Sequence, residues 1–339
     1  MKAVRFDQHG GLDVLRYEDA PDPSPKPGWA VVRVRACALN HLDLFERRGL
    51  DRVKLPLPHI SGSDVAGEVV TPGDSALAPG TRVMLQPGLR CGRCPACAEG
   101  RDNLCPEYDV LGLRSDGGYA ELIAVPAENL VAIPSHLDFV TAAAFPLTFL
   151  TAWHMLITRA AVRAGETVLV LAGGSGVGQA AIQLANHFGA RVFATAAPEK
   201  AERTQALGAE HVFDHYSGDF SKELKRLTGG RGADIVVEHV GEATWDRSVR
   251  ALATGGRLVT CGATTGHAAA IDLRHLFARQ LSFLGSYMGR FAELTAAAPL
   301  LFDGTLTPVI DRVFPLAEAA AAQRRLEDKG QFGKVVLEV

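Results

Sequence analysis

The sequence predicts an α/β protein in which a strand-rich, barrel-like domain is followed by a doubly wound parallel sheet. Short alternating stretches such as 31–39 and 63–70, separated by Pro- and Gly-rich breaks, are typical of strands and turns in the first part of the chain. From about residue 140 strands and helices alternate, which indicates a parallel sheet with right-handed crossovers. The 339 residues suffice for two domains with separate cores.

The domain boundaries follow from these changes of pattern. We assign the strand-rich domain to 1–140 and the parallel-sheet domain to 141–285. Near the end of the second domain we expect a helix over 244–256 and a strand over 257–266. The last segment, 286–339, returns to strand-like sequence, and we expect it to pack back onto the first domain.

Composition and charge exclude several classes of protein. Hydrophobic residues make up 47% of the chain, which argues against disorder, and no apolar stretch reaches the length of a membrane span. The net charge of -3 and the lack of a long basic run argue against a nucleic-acid partner. The N-terminal sequence lacks the apolar core of a signal peptide, so we expect a cytoplasmic protein whose thiols stay reduced.

Four cysteines form a compact lobe at about 88–108, namely Cys91, Cys94, Cys97 and Cys105. A short loop with this spacing can wrap one tetrahedral zinc ion with four thiolates. Two disulfides, or reduced cysteines without a partner, are the alternatives. Because four thiolates leave no open position for water or substrate, we expect one zinc per chain with a structural role.

A glycine-rich turn joins the strand 168–172 to an apolar helix. The pyrophosphate of a dinucleotide needs small residues at such a turn and is stabilised by the helix N-terminus. Ser175 stands where the fingerprint usually has its middle glycine. The strand-turn-helix-strand context still predicts a dinucleotide site, with these candidate contacts: Gly173, Ser175, Gly176, Val177 and Gly178.

The second strand of this domain bears on the choice of cofactor. It ends in Thr195-Ala196-Ala197 without the acidic residue that would hold the ribose hydroxyls of NAD. Lys200 and Arg203 follow, and Tyr216 comes after the next strand; cations here can bind the 2′-phosphate of NADPH. An ordinary solvated helix start is the alternative. We therefore expect NADP, and NAD remains the alternative cofactor.

The order of these motifs resembles the medium-chain dehydrogenase/reductase superfamily. The resemblance spans nearly the whole chain, from the first domain and the cysteine lobe through AGGSGVG (172–178) to the terminal GKVVLEV (333–339). It implies a GroES-like first domain, a Rossmann dinucleotide domain and a homodimer or homotetramer. It also implies an NAD(P)H-dependent oxidoreductase that transfers hydride to or from a small carbonyl, enone or quinone.

The catalytic-zinc pattern of the family is absent from this sequence. Where the zinc alcohol dehydrogenases have a cysteine, a His-Glu pair and a second cysteine, this chain has Asn40, Ser63-Asp64 and the region of Leu147. We therefore expect no catalytic zinc. Other side chains that can bind zinc do not match the family's positions: His41, His59, Asp64 and His154. The neighbourhood of Asn40 is more similar to the quinone oxidoreductase branch, although that branch usually lacks the cysteine lobe.

Without a metal, polar side chains must position the oxygen of the substrate. Asn40 can donate through its amide, His41 can shuttle a proton near neutral pH, and Asp43 can orient His41 or stay structural. The resemblance adds three candidate contacts to the cofactor: Thr151, Ser286 and Lys334. The hydroxyls of Thr151 and Ser286 can equally form local hydrogen bonds. The rival functions are a zinc-dependent alcohol dehydrogenase with unusual ligands and a nicotinamide-binding protein without turnover.

Overall fold

The structure is a computed structural model that describes residues 1–50 and 53–339. It divides into two compact units: Met1–Leu147 with Arg290–Val339, and Thr148–Gly289. The boundary between the units after Leu147 lies inside the helix Pro146–Trp153. The change of sequence pattern at about residue 140 therefore comes a few residues before this boundary. Within the described residues, no helix has the length and apolar character needed to cross a bilayer.

Both units are built from short strands and helices. The strands, in chain order, are β1 (Lys2–Arg5), β2 (Arg16–Asp19), β3 (Trp29–Ala38), β4 (Asp64–Thr71), β5 (Arg82–Leu85), β6 (Gly88–Leu89), β7 (Asp109–Val110), β8 (Leu122–Pro126), β9 (Leu130–Ala132), β10 (Thr167–Val170), β11 (Arg191–Ala196), β12 (His211–Asp214), β13 (Ala233–Glu238), β14 (Leu252–Thr260), β15 (Ser282–Gly285), β16 (Ile310–Pro315) and β17 (Lys334–Glu338). The helices are α1 (His41–Arg48), α2 (Pro95–Ala98), α3 (Phe139–Ala143), α4 (Pro146–Trp153), α5 (Gly176–His187), α6 (Ala201–Ala206), α7 (Phe220–Leu227), α8 (Glu242–Ala251), α9 (Leu273–Ala278), α10 (Phe291–Phe302) and α11 (Ala319–Glu327).

The main sheet of the first unit is largely antiparallel. Its strand order is β16-β17-β3-β4-β5-β9, and β8 pairs with β3 beside this path. Only β16 and β17 run parallel to each other among these described pairs. On β3, Val32 and Val34 are buried while Arg33 and Arg35 are exposed, which is the alternation of a strand with one face on the core.

The C-terminal strand brings distant parts of the chain together. β17 pairs antiparallel with β3, and the N–H of Leu39 donates to the carbonyl of Val335 at 2.9 Å. Lys334, the first residue of β17, therefore lies beside Asn40, which follows β3 and precedes α1. This pairing assembles the polar cluster described below.

The second unit is a doubly wound parallel sheet, as the sequence predicts. Its order is β12-β11-β10-β13-β14-β15, and all five pairs are parallel. The central strands β10 and β13 are buried along their whole length, as expected for a sheet covered on both faces. Strand order reverses between β10 and β13, and ligands of such sheets bind at the carboxyl ends of the strands at this point.

The predicted helix over 244–256 is too long. α8 ends at Ala251 and β14 begins at Leu252. The pairing of β14 with β13 shifts register inside this stretch, where Gly255 has a φ of +75°. A left-handed residue of this kind breaks both helix and regular strand, and glycine adopts it without strain.

Candidate functional site

The four lobe cysteines come together in space. Their sulfur atoms all lie within 4.8 Å of one another, with Cys91 Sγ 3.5 Å from Cys105 Sγ and 4.0 Å from Cys97 Sγ. A tetrahedral zinc with Zn–S bonds of about 2.3 Å sets its sulfur atoms about 3.8 Å apart. A disulfide needs about 2.05 Å, so the disulfide alternative is wrong. The cluster fits one zinc ion held by four thiolates.

Local structure explains why this loop closes. Pro95 begins α2, and Gly92 and Gly100 take φ values of +71° and +67°, which a residue with a Cβ rarely adopts. Backbone N–H groups of Arg93 and Cys94 lower the pKa of the Cys91 thiol to about 6. Donors directed at a sulfur atom favour the thiolate, which is the form that binds zinc.

A buried carboxylate ties the lobe to the start of α10. Asp102 is 3% exposed, and its Oδ2 accepts the N–H of Phe291 at 2.9 Å. The guanidinium of Arg90 lies over the Phe291 ring at 4.2 Å. The lobe is therefore packed into the first unit on residues that are distant in sequence.

The glycine turn of the second unit leaves no room for larger side chains. A Cβ on Gly178 would lie 2.3 Å from the carbonyl oxygen of Ala172, and one on Gly173 would lie 2.6 Å from the Thr204 side chain. Ser175 is the N-cap of α5 and accepts the N–H of Gly178 through its Oγ at 2.9 Å. The serine that departs from the glycine fingerprint therefore stabilises the helix start.

This turn has the properties that a dinucleotide requires. α5 is a twelve-residue helix whose N-terminus, at Gly176 and Val177, follows β10 at the point where strand order reverses. Ser286 follows β15 at the same edge of the sheet, and among the residues that the structure describes its buried Oγ has no hydrogen-bond partner. A polar atom buried without a partner is costly unless a ligand or water satisfies it. These residues fit the nicotinamide dinucleotide that the sequence predicts.

Thr195 supports the turn from the second strand. It is fully buried, and its Oγ1 accepts the N–H of Ala172 at 2.9 Å and lies 2.9 Å from His215 Nδ1. Ala172 has a φ of +49°, so this bond holds a residue in an uncommon conformation. The predicted cofactor contact at Thr195 therefore has a hydroxyl that is already used inside the protein.

The other predicted ribose-phosphate contacts lie near the surface. Lys200 is half-buried at the end of a short 3₁₀ turn, Arg203 is exposed on α6, and Tyr216 is 69% exposed. The sequence reading missed Asp214, which lies opposite Ala196 at the end of β12. Its carboxylate accepts the N–H of Tyr216 and the hydroxyl of Ser217, so it is bonded within its own turn.

In the first unit, Asn40, Asp64 and Lys334 form a buried cluster. The Lys334 ammonium donates to Asn40 Oδ1 at 2.7 Å and to Asp64 Oδ2 at 2.8 Å. Asn40 Nδ2 also donates to Asp64 Oδ2 at 2.9 Å, and the N–H of Leu147 donates to Asp64 Oδ1 at 2.7 Å. Both carboxylate oxygens therefore accept hydrogen bonds, as a buried ionised group requires.

A second group of acids surrounds the start of α1. Asp43 Oδ2 accepts the backbone N–H of Asn40 at 2.9 Å and the hydroxyl of Tyr119 at 2.7 Å. Burial, with the negative charge of Glu46 nearby, raises the pKa of Asp43 to about 8. His41 is half-buried in the first turn of the helix. By accepting the N–H of Asn40, Asp43 stabilises the N-terminus of α1, which is the structural alternative that the sequence offers for this residue.

Comparison with known proteins identifies the family of this chain. Residues 26–135 match the alcohol dehydrogenase GroES-like domain, and residues 176–303 match the zinc-binding dehydrogenase domain. Human (Homo sapiens) quinone oxidoreductase is 30% identical over 99% of this chain and 97% of its own length. The chain belongs to the medium-chain dehydrogenase/reductase superfamily.

Solved structures of this superfamily cover the whole chain. An NAD-dependent alcohol dehydrogenase is 47% identical, with a TM-score of 0.96 and full coverage of both chains. A variant of the crotonyl-CoA carboxylase/reductase AntE in complex with NADP is 26% identical, with a TM-score of 0.94, and covers 100% of this chain and 95% of its own. The protein is therefore an NAD(P)-dependent oxidoreductase of the superfamily.

The catalytic zinc of the superfamily's alcohol dehydrogenases does not fit this chain. The matching positions do converge, because Asn40 and the backbone of Leu147 both bond to Asp64. Their side chains are an amide and an alkyl group, however, and the ammonium of Lys334 lies against the one carboxylate. Zinc needs three ligand side chains and is repelled by an adjacent cation. Within residues 1–50 and 53–339, the one group of His, Cys, Asp or Glu side chains close enough together to hold a metal ion is that of the four lobe cysteines.

The remaining candidates lie in both units. Thr151 is buried in α4 of the second unit. His59 is fully buried, and its Nε2 bonds to the Gly112 carbonyl at 2.7 Å, so it serves the interior of the first unit. Sequence reasoning missed His239, whose Nε2 bonds to the Leu171 carbonyl at 2.8 Å beside the glycine turn. Its position directly after β13, a strand flanking the reversal of order, is the signal that would have found it.

Proposed function

We propose that this protein transfers hydride between NADPH and a small carbonyl, enone or quinone without a catalytic zinc. The observation that carries the proposal is the buried cluster of Asn40, Asp64 and Lys334, in which an amide and a carboxylate stand at two positions of metal ligands and the Lys334 ammonium bonds to both. A hydrogen-bond donor can replace a Lewis acid by stabilising the negative charge that develops on a carbonyl oxygen.

In this proposal, one set of residues binds the cofactor and another contacts the substrate and supplies its proton. When bound, the cofactor supplies the hydride. The N-terminus of α5 binds the pyrophosphate, and the space left by Gly173 and Gly178 lets it approach the backbone. Asn40 donates to the oxygen of the substrate. His41 supplies the proton that this oxygen takes up, since an imidazole can exchange protons near neutral pH.

For the cofactor we propose NADP, with NAD as the alternative. Lys200 and Arg203 follow β11, which ends at Ala196 without an acid. The carboxylate of Asp214 in the neighbouring strand is held by its own turn. These features favour a 2′-phosphate. The similar alcohol dehydrogenase described as NAD-dependent favours the alternative.

A zinc-dependent alcohol dehydrogenase is the second candidate function. Its support is the match of residues 176–303 to the zinc-binding dehydrogenase domain. The two candidates differ in metal content, since the proposed enzyme carries one structural zinc in the cysteine lobe and the alternative carries two. We also propose assembly into a homodimer or homotetramer, which light scattering on the purified protein would measure.

The experiment is a spectrophotometric screen of NADPH and NADH oxidation against aldehydes, ketones, enones and quinones, with zinc measured in the same preparation. We expect turnover of at least one acceptor class with NADPH and close to one zinc per chain. Two zinc ions per chain, with activity lost on removal of the weaker one, would favour the second candidate. Binding of NADPH without oxidation by any acceptor would contradict both.

A further inference from the structure

We propose that Lys334 and Asp64 are positioning residues that fix and polarise the Asn40 amide for the substrate. This inference rests on the proposed function and deepens it. The sequence predicts a catalytic role for Asn40 and a cofactor contact for Lys334, and it names Asp64 only as a side chain that can bind zinc. The structure brings the three side chains together across 294 residues of chain.

The charges of the two partners fix the orientation of the amide. An ammonium only donates, so Asn40 must present Oδ1 to Lys334, at 2.7 Å. An ionised carboxylate only accepts, so Nδ2 must face Asp64, at 2.9 Å. A flipped amide would set an N–H against the ammonium and an oxygen against the carboxylate. The side chain therefore has one favoured orientation.

The backbone of Asn40 is fixed as well. Its N–H donates to Asp43 Oδ2, which also receives the Tyr119 hydroxyl, and the preceding residue is bonded to β17. Asp64 is held from its other side by the N–H of Leu147. A donor held on both backbone and side chain loses little freedom when it binds a substrate.

Asn40 is the least buried member of the cluster. Asn40 retains 8% of its surface, whereas Lys334 retains 3% and Asp64 none. One N–H of Nδ2 bonds to Asp64, which leaves the second for a ligand. The ammonium on Oδ1 draws electron density from the amide, so this N–H becomes a stronger donor.

The test is a double-mutant cycle with Lys334→Met and Asn40→Leu. We expect Lys334→Met to lower kcat about 10- to 100-fold, less than the roughly 100- to 1,000-fold for losing an oriented donor outright, because Asn40 itself remains. The Kd for NADPH should stay within about twofold, and the isotope effect with 4-deuterated NADPH should rise because hydride transfer is slowed. In the Asn40→Leu background, Lys334→Met should have no further effect.

The controls separate this role from loss of structure. Lys2→Met makes the same change at a more exposed Lys–Asp pair of the same unit, where Lys2 lies 2.9 Å from Asp19, and should leave kcat unchanged. Because Lys334→Met leaves Asp64 buried without its cation, the pair Lys334→Met, Asp64→Asn is the second variant. It should fold and match Asn40→Leu in kcat.

Several results would overturn the proposal. A raised Kd for NADPH with kcat retained would make Lys334 a cofactor contact, and effects that multiply in the double variant would make the two residues independent. If the parent turns over no acceptor, the proposed function fails, and the side-chain amide of Asn40 is followed by NMR instead. Its two proton signals should shift and exchange faster in Lys334→Met and stay unchanged in Lys2→Met. Signals that Lys334→Met leaves unchanged would refute the positioning role by themselves.

Discussion

At the scale of single residues, the first unit buries several acids whose protonation is linked to folding. Asp43 is fully buried and accepts two hydrogen bonds on Oδ2, and its Oδ1 has no partner within residues 1–50 and 53–339. Burial also raises the pKa of Glu46. Two acids close together in a low-dielectric interior resist ionising at the same time, so the folded state holds protons that the unfolded chain releases.

We predict that Asp43→Asn weakens the pH dependence of stability. The folded pKa, about 8, lies above the 3.8 of an ordinary Asp, so stability from this group is present at low pH and is lost as the pH rises from about 4 to 8. At pH 8 the free energy of unfolding of the variant should exceed that of the parent by about 1 kcal/mol or more. At pH 5 this difference should be smaller. Urea unfolding at both pH values measures this, with exposed Asp116→Asn as the control. A parent and variant with parallel pH profiles would contradict it.

The choice of cofactor is also decided by single residues. We predict that Lys200→Ala with Arg203→Ala weakens NADPH binding much more than NADH binding, because each charged contact contributes about 1–3 kcal/mol. The affinity for NADPH should fall at least about 30-fold. In the parent protein, a higher salt concentration should reduce the preference for NADPH over NADH. Lys222→Ala with Arg226→Ala removes exposed cations of α7 and should change neither affinity. A parent that prefers NADH, or equal losses for both cofactors, would show that these cations do not bind the phosphate.

At the scale of elements, the turn from β10 into α5 combines folding and binding. Ser175 caps the helix, Thr195 bonds to the backbone of Ala172, and Gly178 packs against the same backbone. The N–H groups that remain at the start of α5 are available to an anion. The geometry that stabilises the turn is therefore the geometry that the proposed pyrophosphate site requires.

We predict that Gly178→Ala lowers both stability and NADPH affinity. The new Cβ would lie 2.3 Å from the Ala172 carbonyl oxygen, so the backbone of the turn must shift. Gly285→Ala is the control in the same unit, because its Cβ would have no neighbour within 4 Å in the described part of the chain. Thermal unfolding and cofactor titration measure the two effects. Unchanged NADPH affinity in folded Gly178→Ala would rule out this turn as the pyrophosphate site.

The cysteine lobe is a second element whose stability depends on a ligand. We predict that Cys94→Ser releases most of the zinc and lowers the melting temperature, because three thiolates seldom hold a structural zinc tightly. Cys261→Ser, outside the lobe, should keep close to one zinc per chain. Metal analysis after dialysis against a chelator measures both. Full zinc retention in Cys94→Ser, with unchanged stability, would refute the four-thiolate site.

At the scale of the whole molecule, local patterns predict the elements better than the contacts between them. Alternating apolar residues and the glycine turn predict the parallel sheet, and its observed strand order agrees. The predicted end of α8 is too late, because the start of β14 at Leu252 depends on its pairing with β13. The role of Ser175 also became clear only with its bond to Gly178 in place.

Local sequence patterns suffice to predict the fold class, the four-cysteine lobe and a dinucleotide turn after β10, because each depends on residues that are close together in the chain. The cluster of Asn40, Asp64 and Lys334 was decided only by the tertiary structure, because its members are joined by the pairing of the last strand with β3. The sequence departs from the catalytic-zinc pattern of the superfamily's alcohol dehydrogenases at Asn40, Ser63-Asp64 and Leu147. In the fold, the Lys334 ammonium bonds to Asn40 and Asp64 at two of these positions. No local pattern predicts this contact, because hydrogen bonds between distant residues depend on positions in space.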